Sequence, residues 1–345
     1  MRSLLFLAAL LTLGSAHKAP KTPQEIETQR RLQAAAYYCA PAIAEFTASR
    51  KRDFTQKIMT GRPELPGYQE LFSSYPDPDL PPDAIMACNA VQRESAIQNG
   101  QNNSCVLTPV VTEGPYFHKE GHPIRQNIAE YQDGLLLLLD IGVIDVNTCK
   151  PLPNVLVDIW QANATGHYAG HPVPQKGLEN EQPATSGPRK RLRSAYPRVD
   201  FKEAFLTGAW PTDERGVSQF VTVFPGYYTG RAVHIHTKVF TEWETLPNGT
   251  FRSDKVAHVG QFFFEDDITE EINKMYPYIR NPIKDTFGRT RNWEDGLNIF
   301  QDSHSAEGEY NPVFKLELLG GVIRQGLLGY ITMGINSSVA YDRTG

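Results

Sequence analysis

Residues 221–240 read VTVFPGYYTGRAVHIHTKVF and contain two histidines, His234 and His236, separated by one residue. Residues 231–240 are rich in β-branched and aromatic side chains, which predicts a strand. Alternate side chains of a strand point to the same face, so the two imidazoles would lie ~6.5 to 7 Å apart along the chain. Both could therefore reach one metal ion.

A Pro-Gly turn precedes this strand and carries two phenols, Tyr227 and Tyr228, followed by Arg231. Zinc sites favour Cys, His and carboxylate ligands, so a phenol beside histidines indicates a harder, more oxidised cation. Ferric iron fits best, because only a strongly Lewis-acidic ion would hold a phenol as phenolate at neutral pH. One more anionic ligand is expected, and Tyr168, at the end of a predicted strand, is a candidate.

The first 16 residues, MRSLLFLAALLTLGSA, combine one basic residue, an apolar run and a small-residue end. This pattern predicts a secretory signal peptide over 1–16, cut after Ala16, and hence a secreted, extracellular protein. The apolar run is too short to span a bilayer. The leucine run 135–139 lies between Asp133 and Asp140, which favours a buried strand. We expect no membrane partner.

The composition is that of a folded globular protein. The chain has 345 residues, of which 40% are hydrophobic and 21% charged, enough for a large core in one or two domains. The net charge of −5 gives no indication of nucleic-acid binding. The basic run 189–193 is flanked by glycine and prolines and is expected to be a solvated loop.

Cysteines and glycosylation sequons agree with secretion. An even number of cysteines in a secreted chain favours disulfides. We predict the pairs Cys39–Cys88 and Cys105–Cys149, one of three possible connectivities. The N-x-S/T sequons lie at Asn102, Asn163, Asn248 and Asn336.

The region before Cys105 predicts helix rather than strand. Thr22, Pro23 and Glu25 form a capping-box start, and the following run to about Ser49 is rich in helix-forming residues. Residues 61–82 are rich in proline and predict irregular structure. We therefore predict an N-terminal helical arm or subdomain over 17–101, which either wraps the core or mediates association.

The remainder, 102–345, predicts a mainly β fold, an antiparallel β-sandwich. Evenly spaced strands broken by Gly and Pro turns support this prediction, with one helix at 267–278. The loop 170–205 has a length usually associated with function or disorder. The predicted strands are 134–146, 154–160, 218–224, 231–240, 257–264, 313–319 and 327–335.

Five ordered motifs carry a family resemblance: EGPYF (113–117), DIWQANATGHY (158–168), TDERG (212–216), FPGYYTGRAVHIH (224–236) and GQFFFEDD (260–267). Together they resemble the intradiol ring-cleavage dioxygenases, most closely the secreted members related to the protocatechuate 3,4-dioxygenase β chain. The resemblance covers about 105–267, and its most specific part is the metal motif. The N-terminal arm and the tail beyond Asp285 match only loosely.

The resemblance implies a non-haem Fe(III) bound by two tyrosines, two histidines and hydroxide. In the family the second tyrosinate stands three residues after the turn proline. Counting from Pro225 gives Tyr228, with Tyr227 as the fallback. The other three ligands correspond to Tyr168, His234 and His236.

The implied reaction uses O2 to cleave a catechol between its two hydroxyl-bearing carbons and gives a cis,cis-muconate. Arg231 resembles the family arginine beside the bound substrate, and Gln261 resembles its glutamine partner. Tyr228 would leave the metal and accept a catechol proton. The expected partners are a catechol and O2, with a monomer or homodimer as the assembly. Substrate specificity would lie in the loop 170–205 and near Tyr116.

Some nearby residues have two interpretations. Pro115 and Tyr116 either line the pocket mouth or pack. Asp158 and Trp160 share one face of their predicted strand and either buttress the site or only pack. Three further histidines are expected on the surface or in loops rather than as ligands: His167, His171 and His258.

Two other function classes remain open. One is a secreted β-sandwich that binds phenols or carbohydrates without catalysis. The other is a zinc hydrolase built on His234 and His236, which would need a carboxylate or cysteine as a third ligand. The presence of both tyrosines, both histidines and Arg231 favours the dioxygenase.

Overall fold

The computed structural model describes residues 22–59, 105–106, 111, 113–171, 199–305, 308–338 and 341–342. The predicted signal peptide, the irregular segment 61–82, Cys88, Asn102 and most of the loop 170–205 lie outside these residues. Within the described ranges, no helix is both long and apolar enough to cross a bilayer.

The helices lie at both ends of the chain and are α1 Pro23–Tyr38, α2 Ala40–Met59, α3 Asp266–Asn273 and α4 Ile299–Asp302. The predicted N-terminal helical run is confirmed, but it is divided at Cys39 into two helices, and the second continues beyond Ser49. The predicted helix 267–278 ends earlier, at Asn273, and a 3-10 turn follows at Tyr278–Arg280. Pro277 has no N–H to donate, so it cannot continue the helical hydrogen bonding.

The seven predicted strands are confirmed, although the histidine strand begins only at His234. Besides several two-residue strands, the strand Thr207–Pro211 was not predicted, because its Gly208 and Pro211 resemble turn residues. In chain order the strands are β1 Cys105–Val106, β2 Leu136–Asp145, β3 Lys150–Pro151, β4 Leu156–Trp160, β5 Thr207–Pro211, β6 Val217–Val223, β7 His234–Phe240, β8 Glu244–Thr245, β9 Phe251–Arg252, β10 Lys255–Val256, β11 His258–Phe263, β12 His304–Ser305, β13 Gly308–Glu309, β14 Lys315–Leu318, β15 Leu327–Ile335 and β16 Tyr341–Asp342.

Two main sheets form the sandwich. The first has the order β1-β15-β2-β3, with β14 paired to β15 and β6 paired to β2. The second has the order β11-β7-β4-β5 and is antiparallel throughout. Side chains of β2, β4, β7 and β11 meet in one hydrophobic cluster, which places the main core between the sheets. The mainly β fold class is confirmed.

One detail of the first sheet differs from the antiparallel prediction. Strand β15 pairs with β2 in parallel along its whole length, and β1 pairs in parallel with β15. Parallel neighbours need a long connection. The chain between β2 and β15 is long, since it contains all four strands of the second sheet. Periodicity along a strand does not show its direction relative to a distant partner, so the sequence could not indicate this pairing.

The leucine run of β2 is buried on both faces. Leu137 and Leu139 point into the core between the sheets, whereas Leu136 and Leu138 pack with Phe54 of α2 and with Tyr330. Alternate strand residues point to opposite faces, so two different layers must cover the strand. The N-terminal arm provides the second layer and therefore packs against the sandwich.

A disulfide joins Cys39, between α1 and α2, to Cys149, with 5.1 Å between the Cα atoms. Both predicted cysteine pairs were therefore wrong. Cys39 packs beside Ile144 of β2, and the chain turns immediately after this strand to bring Cys149 alongside. The position of the arm on the sheet determines this pairing, and cysteine spacing does not encode that position.

Arg50 of α2 fixes the arm through a buried polar network. Its guanidinium forms an ion pair with Asp140 of β2 and donates to the hydroxyl of Thr332 at 2.8 Å. Gln219 donates to the other carboxylate oxygen of Asp140 at 2.7 Å. Only 3% of the Arg50 side chain and 1% of the Asp140 side chain are exposed.

We expect Arg50→Ala to lower the free energy of unfolding by about 3–5 kcal/mol, because it leaves the Asp140 carboxylate buried without its cation. Denaturant unfolding of the whole protein measures this loss. Asp53→Ala is the matched control, since Asp53 also lies on α2 but its pair with Arg215 is 44–48% exposed. The control should cost about 1 kcal/mol or less. Equal losses for the two variants would contradict the prediction.

Candidate metal centre

The first and third residues of strand β7 are the two predicted histidine ligands. His234 and His236 point to the same face and are 2% and 1% exposed. Their Nε2 atoms lie 3.1 Å apart. In the flanking strands, Trp160 of β4 and Gln261 of β11 lie opposite His236. The sheet register therefore surrounds the imidazoles with residues from three adjacent strands.

Burial favours the neutral form of both predicted ligand imidazoles, and a hydrogen bond orients one of them. The Nδ1 of His234 lies 2.6 Å from the Ala232 carbonyl and donates to it, which leaves Nε2 with a free lone pair. Burial lowers the pKa of both histidines well below the usual value, and the Arg231 charge lowers both further. The Trp160 ring stacks on His236 with centroids 4.8 Å apart. The His234 ring is thus oriented by a hydrogen bond and the His236 ring by stacking, and the neutral form of each is the one that binds metals.

The two phenols of the Pro-Gly turn, Tyr227 and Tyr228, have different surroundings. The Tyr228 hydroxyl lies 3.3 Å from the His234 Nε2. Tyr227 instead packs in the core between the sheets. Burial raises the pKa of Tyr227 to about 12, and it also raises the pKa of Tyr228. The geometry therefore selects Tyr228 rather than Tyr227 as the member of the cluster.

Tyr168 completes the group from the loop after β4. Its ring centroid lies 5.4 Å from that of Tyr228 and 6.1 Å from that of His236. Its hydroxyl is buried and has no hydrogen-bond partner of normal geometry among the described residues. Burial raises the pKa of Tyr168 well above the usual value. The structure thus brings all four predicted ligands together.

This donor set fits a ferric ion. Two imidazole lone pairs converge with two phenols, the buried Tyr168 and the half-buried Tyr228. An unsatisfied buried polar group such as the Tyr168 hydroxyl is costly unless something binds it. The raised phenol pKa values mean that only a strong Lewis acid would hold these groups ionised at neutral pH. Four such groups in one buried cluster could hold Fe(III).

Two glycines allow the tyrosine loops to approach each other. The Asn163 carbonyl accepts hydrogen bonds from Gly166 at 2.9 Å and from Gly226 at 3.0 Å. A Cβ on Gly226 would lie 2.3 Å from the Ala164 carbonyl oxygen, so no larger residue fits without a shift. The Asn163 side chain also caps this loop, accepting from the His167 backbone N–H at 3.0 Å. Asn163 therefore organises the loop that carries Tyr168.

Arg231 lies immediately beside the cluster. Its Nη1 is 3.3 Å from the Tyr228 hydroxyl, and its Nη2 donates to the Gln261 side-chain oxygen. Its Nε lies 2.9 Å from a carboxylate oxygen of Asp295. The pairing of Arg231 with Gln261 was predicted, whereas the contact with Asp295 was not. No local pattern around Asp295 indicates its role, because it lies in a turn that is far from Arg231 in the sequence.

The residues with two interpretations now have definite contacts. Tyr116 stacks on Tyr168 with centroids 3.9 Å apart and lies edge-on to Tyr228 at 5.5 Å, so it forms part of the site wall. Asp158 lies 2.6 Å from the His122 Nδ1, and both side chains are fully buried. His122 was not singled out from the sequence.

One of the histidines predicted on the surface or in loops lies elsewhere: His258 is 6% exposed and belongs to β11, so its prediction was wrong. His171 lies in a loop, as predicted, although it is only 7% exposed. Burial lowers the pKa of His258 to about 3.

The alternation of β7 could also have identified Lys238, which shares a face with His234 and His236. It pairs with Glu113 and lies 3.5 Å from the centre of the Phe117 ring.

Comparison with known proteins identifies the family. A protein-family model described as a dioxygenase matches residues 112–269. An intradiol ring-cleavage dioxygenase from Tetranychus urticae is 30% identical; the match covers 67% of this chain and 95% of that one, with a TM-score of 0.48. The dioxygenase domain of a carbohydrate-binding fusion protein from Streptomyces sp. SirexAA-E is 21% identical over 66% of this chain and 96% of that one, with a TM-score of 0.36.

A curated relative agrees in sequence. Catechol 1,2-dioxygenase 2 from Acinetobacter lwoffii is 28% identical over 132 residues, which are 37% of this chain and 45% of that enzyme. The chain thus spans less than half the length of this curated relative. The match to the family model lies on the region that holds Tyr168, Tyr228 and both histidines, and the Tetranychus urticae enzyme is matched over nearly its whole length. The chain belongs to the intradiol ring-cleavage dioxygenase family.

Proposed function

We propose that this protein is a secreted Fe(III) enzyme that uses O2 to cleave a catechol ring between its two hydroxyl-bearing carbons. The observation behind this proposal is the convergence of Tyr228, His234 and His236, with 3.3 Å from the Tyr228 oxygen to the His234 Nε2 and 3.1 Å between the two Nε2 atoms. Beside them, the Tyr168 hydroxyl is buried without a hydrogen bond of normal geometry to any described residue. Both oxygen atoms of O2 enter the product, so catechol and O2 give a cis,cis-muconate and nothing else.

A ferric ion held by these four residues would supply the Lewis acidity that keeps the phenols ionised and binds both oxygens of a catechol. The Tyr228 oxygen then accepts the proton of one entering catechol hydroxyl. Arg231 places its positive charge beside Tyr228 and stabilises the negative charge that develops on the ring. Tyr116, stacked on Tyr168, keeps water from that side of the cluster.

Two observations favour this proposal over the alternatives. A zinc hydrolase needs a third His, Cys or carboxylate ligand, and the described residues contain no trio of such groups in metal-binding geometry. A binding protein without catalysis has no need for a buried arginine beside paired phenols and imidazoles.

The catechol itself is proposed to be external, because the leader-like segment 1–16 favours secretion.

The visible spectrum of the iron-loaded protein tests the proposal. We expect a broad visible band from tyrosinate bound to Fe(III), which shifts to longer wavelength when catechol is added under nitrogen. Admission of oxygen should then release a muconate in proportion to the protein. Zinc-loaded protein is the control and should stay colourless, because Zn(II) has a filled d shell.

A protein that remains colourless after ferric reconstitution would contradict the assignment of Tyr168 and Tyr228 as ligands. The interpretation as a phenol-binding protein would then be preferred. A coloured protein that binds catechol but releases no muconate would contradict the catalytic part of the proposal alone.

A further inference from the structure

Asp295 and Gly296 contact three consecutive residues, Gly230 to Ala232, around Arg231. The Asp295 carboxylate accepts from the Arg231 Nε at 2.9 Å and from the Ala232 N–H at 2.9 Å. The Gly296 N–H donates to the Gly230 carbonyl at 2.9 Å. This segment lies beyond residue 269, where the family match ends. A part of the chain outside the family match therefore holds the arginine beside the ligands.

The Asp295 carboxylate is fully used as an acceptor. It is 0% exposed, and its second oxygen accepts from the Leu297 N–H at 3.0 Å and from the Arg231 Nε at 3.2 Å. Although burial opposes it, the Asp295 charge holds the pKa of Arg231 above its usual value. A buried ion pair with all its hydrogen bonds made restricts the orientation of both side chains.

The contacts of Arg231 fix the plane of its guanidinium. Asp295 binds the Nε edge, Gln261 binds Nη2, and Nη1 is left facing the Tyr228 hydroxyl at 3.3 Å. We propose that Asp295 is a positioning residue that holds the Arg231 guanidinium in the orientation needed to face Tyr228 and the substrate. This inference rests on the function proposed above.

The segment around Asp295 is itself anchored to the end of β11 and the start of α3. The Asn292 side chain donates to the Phe264 carbonyl at 2.8 Å, and its backbone N–H donates to Asp266 at 3.2 Å. Asp266 also pairs with Arg289. Asp266 thus docks the same segment through an ion pair that does not touch Arg231, which makes it a matched control.

The test compares Asp295→Asn with Asp266→Asn in the iron-loaded protein. Asp295→Asn keeps the shape of the side chain but replaces one carboxylate oxygen with an NH2 group. This group cannot accept the hydrogen bonds that the oxygen accepts in the wild type. We expect it to lower kcat by about 10- to 100-fold, as a misplaced catalytic group does, with KM and iron content nearly unchanged. Because Arg231 contacts Tyr228, the visible band should also shift. Asp266→Asn disturbs the docking of the segment but leaves the Asp295–Arg231 contacts intact, so it should lower kcat and shift the band much less than Asp295→Asn does.

Coupling to Arg231 distinguishes positioning from a purely structural role. In an Arg231→Ala background, Asp295→Asn should change kcat by less than about 2-fold, because the residue acts through the arginine. Asp295→Glu, which retains the charge, should recover part of the loss. Activity is expressed per bound iron, so partial misfolding of one variant does not hide the effect.

Three results would overturn the inference: an unchanged kcat and band in Asp295→Asn, the same fold-loss with and without Arg231, or a loss confined to iron content. The wild-type protein in the same assay keeps the two proposals separate. If it shows neither a visible band nor muconate, the proposed function fails; if it shows both, only the role of Asp295 is in question.

Discussion

Tyr228→Phe is expected to lower turnover of catechol by about 100-fold or more, because it removes both a proposed metal ligand and the proposed base for one catechol proton. The hydroxyl that is lost lies 3.3 Å from the His234 Nε2 in the structure. The visible band should change in the same variant, since one of two tyrosinates is missing. Steady-state oxygen uptake and the optical spectrum, both per bound iron, measure the two effects.

Tyr227→Phe is the matched control, with the same substitution at the adjacent residue. The Tyr227 side chain packs in the core between the sheets, and its phenol faces Asp285 and Arg289 rather than the histidines. We expect normal colour and turnover within about 2-fold, because packing of the ring is retained. If Tyr227→Phe lost the colour while Tyr228→Phe kept it, the assignment of the second tyrosine ligand would be reversed.

Arg231→Ala is expected to lower kcat by about 100- to 1,000-fold, the usual cost of removing one donor aimed at developing charge. Iron content should fall much less, because Arg231 is not a ligand. Single-turnover oxygen consumption together with iron analysis separates the two quantities. Loss of iron in proportion to activity would show that Arg231 supports the metal site instead.

Arg231→Lys provides the second variant, since Arg231→Ala leaves the Asp295 carboxylate buried without a cation and costs stability. Lysine retains the charge but lacks the planar fork that contacts Asp295, Gln261 and Tyr228 together. We expect kcat between those of the wild type and Arg231→Ala. A lysine variant as active as the wild type would show that charge suffices and orientation does not matter.

Much of the fold follows from patterns that are local in the chain. The alternation around His234 and His236 predicted a strand with both imidazoles on one face, and β7 has this arrangement. The leucine run predicted a buried strand, which is β2. Such features are readable because strand geometry repeats every two residues and depends only on neighbours in sequence.

The site was predicted less completely than the strands. The four ligand positions follow from motifs, and the choice between Tyr227 and Tyr228 rested on a count from Pro225. Packing of the turn decides that choice physically, because one phenol enters the core and the other faces the histidines. The requirement for glycine in the tyrosine loops becomes clear only when the two loops are seen packed together. A Cβ on Gly226 would meet the Ala164 carbonyl of the other loop.

The sequence by itself therefore determined the mainly β class and the positions of most long strands, since these depend on periodicity. The proposed set of metal-binding side chains followed from the family resemblance and from the chemistry of phenols and imidazoles. Only the tertiary structure decided the parallel pairing of β2 with β15, the Cys39–Cys149 disulfide and the contact of Asp295 with Arg231. Each of these joins segments far apart in the chain. Their proximity arises from the packing of the arm, the sheets and the C-terminal segment, which no local pattern encodes.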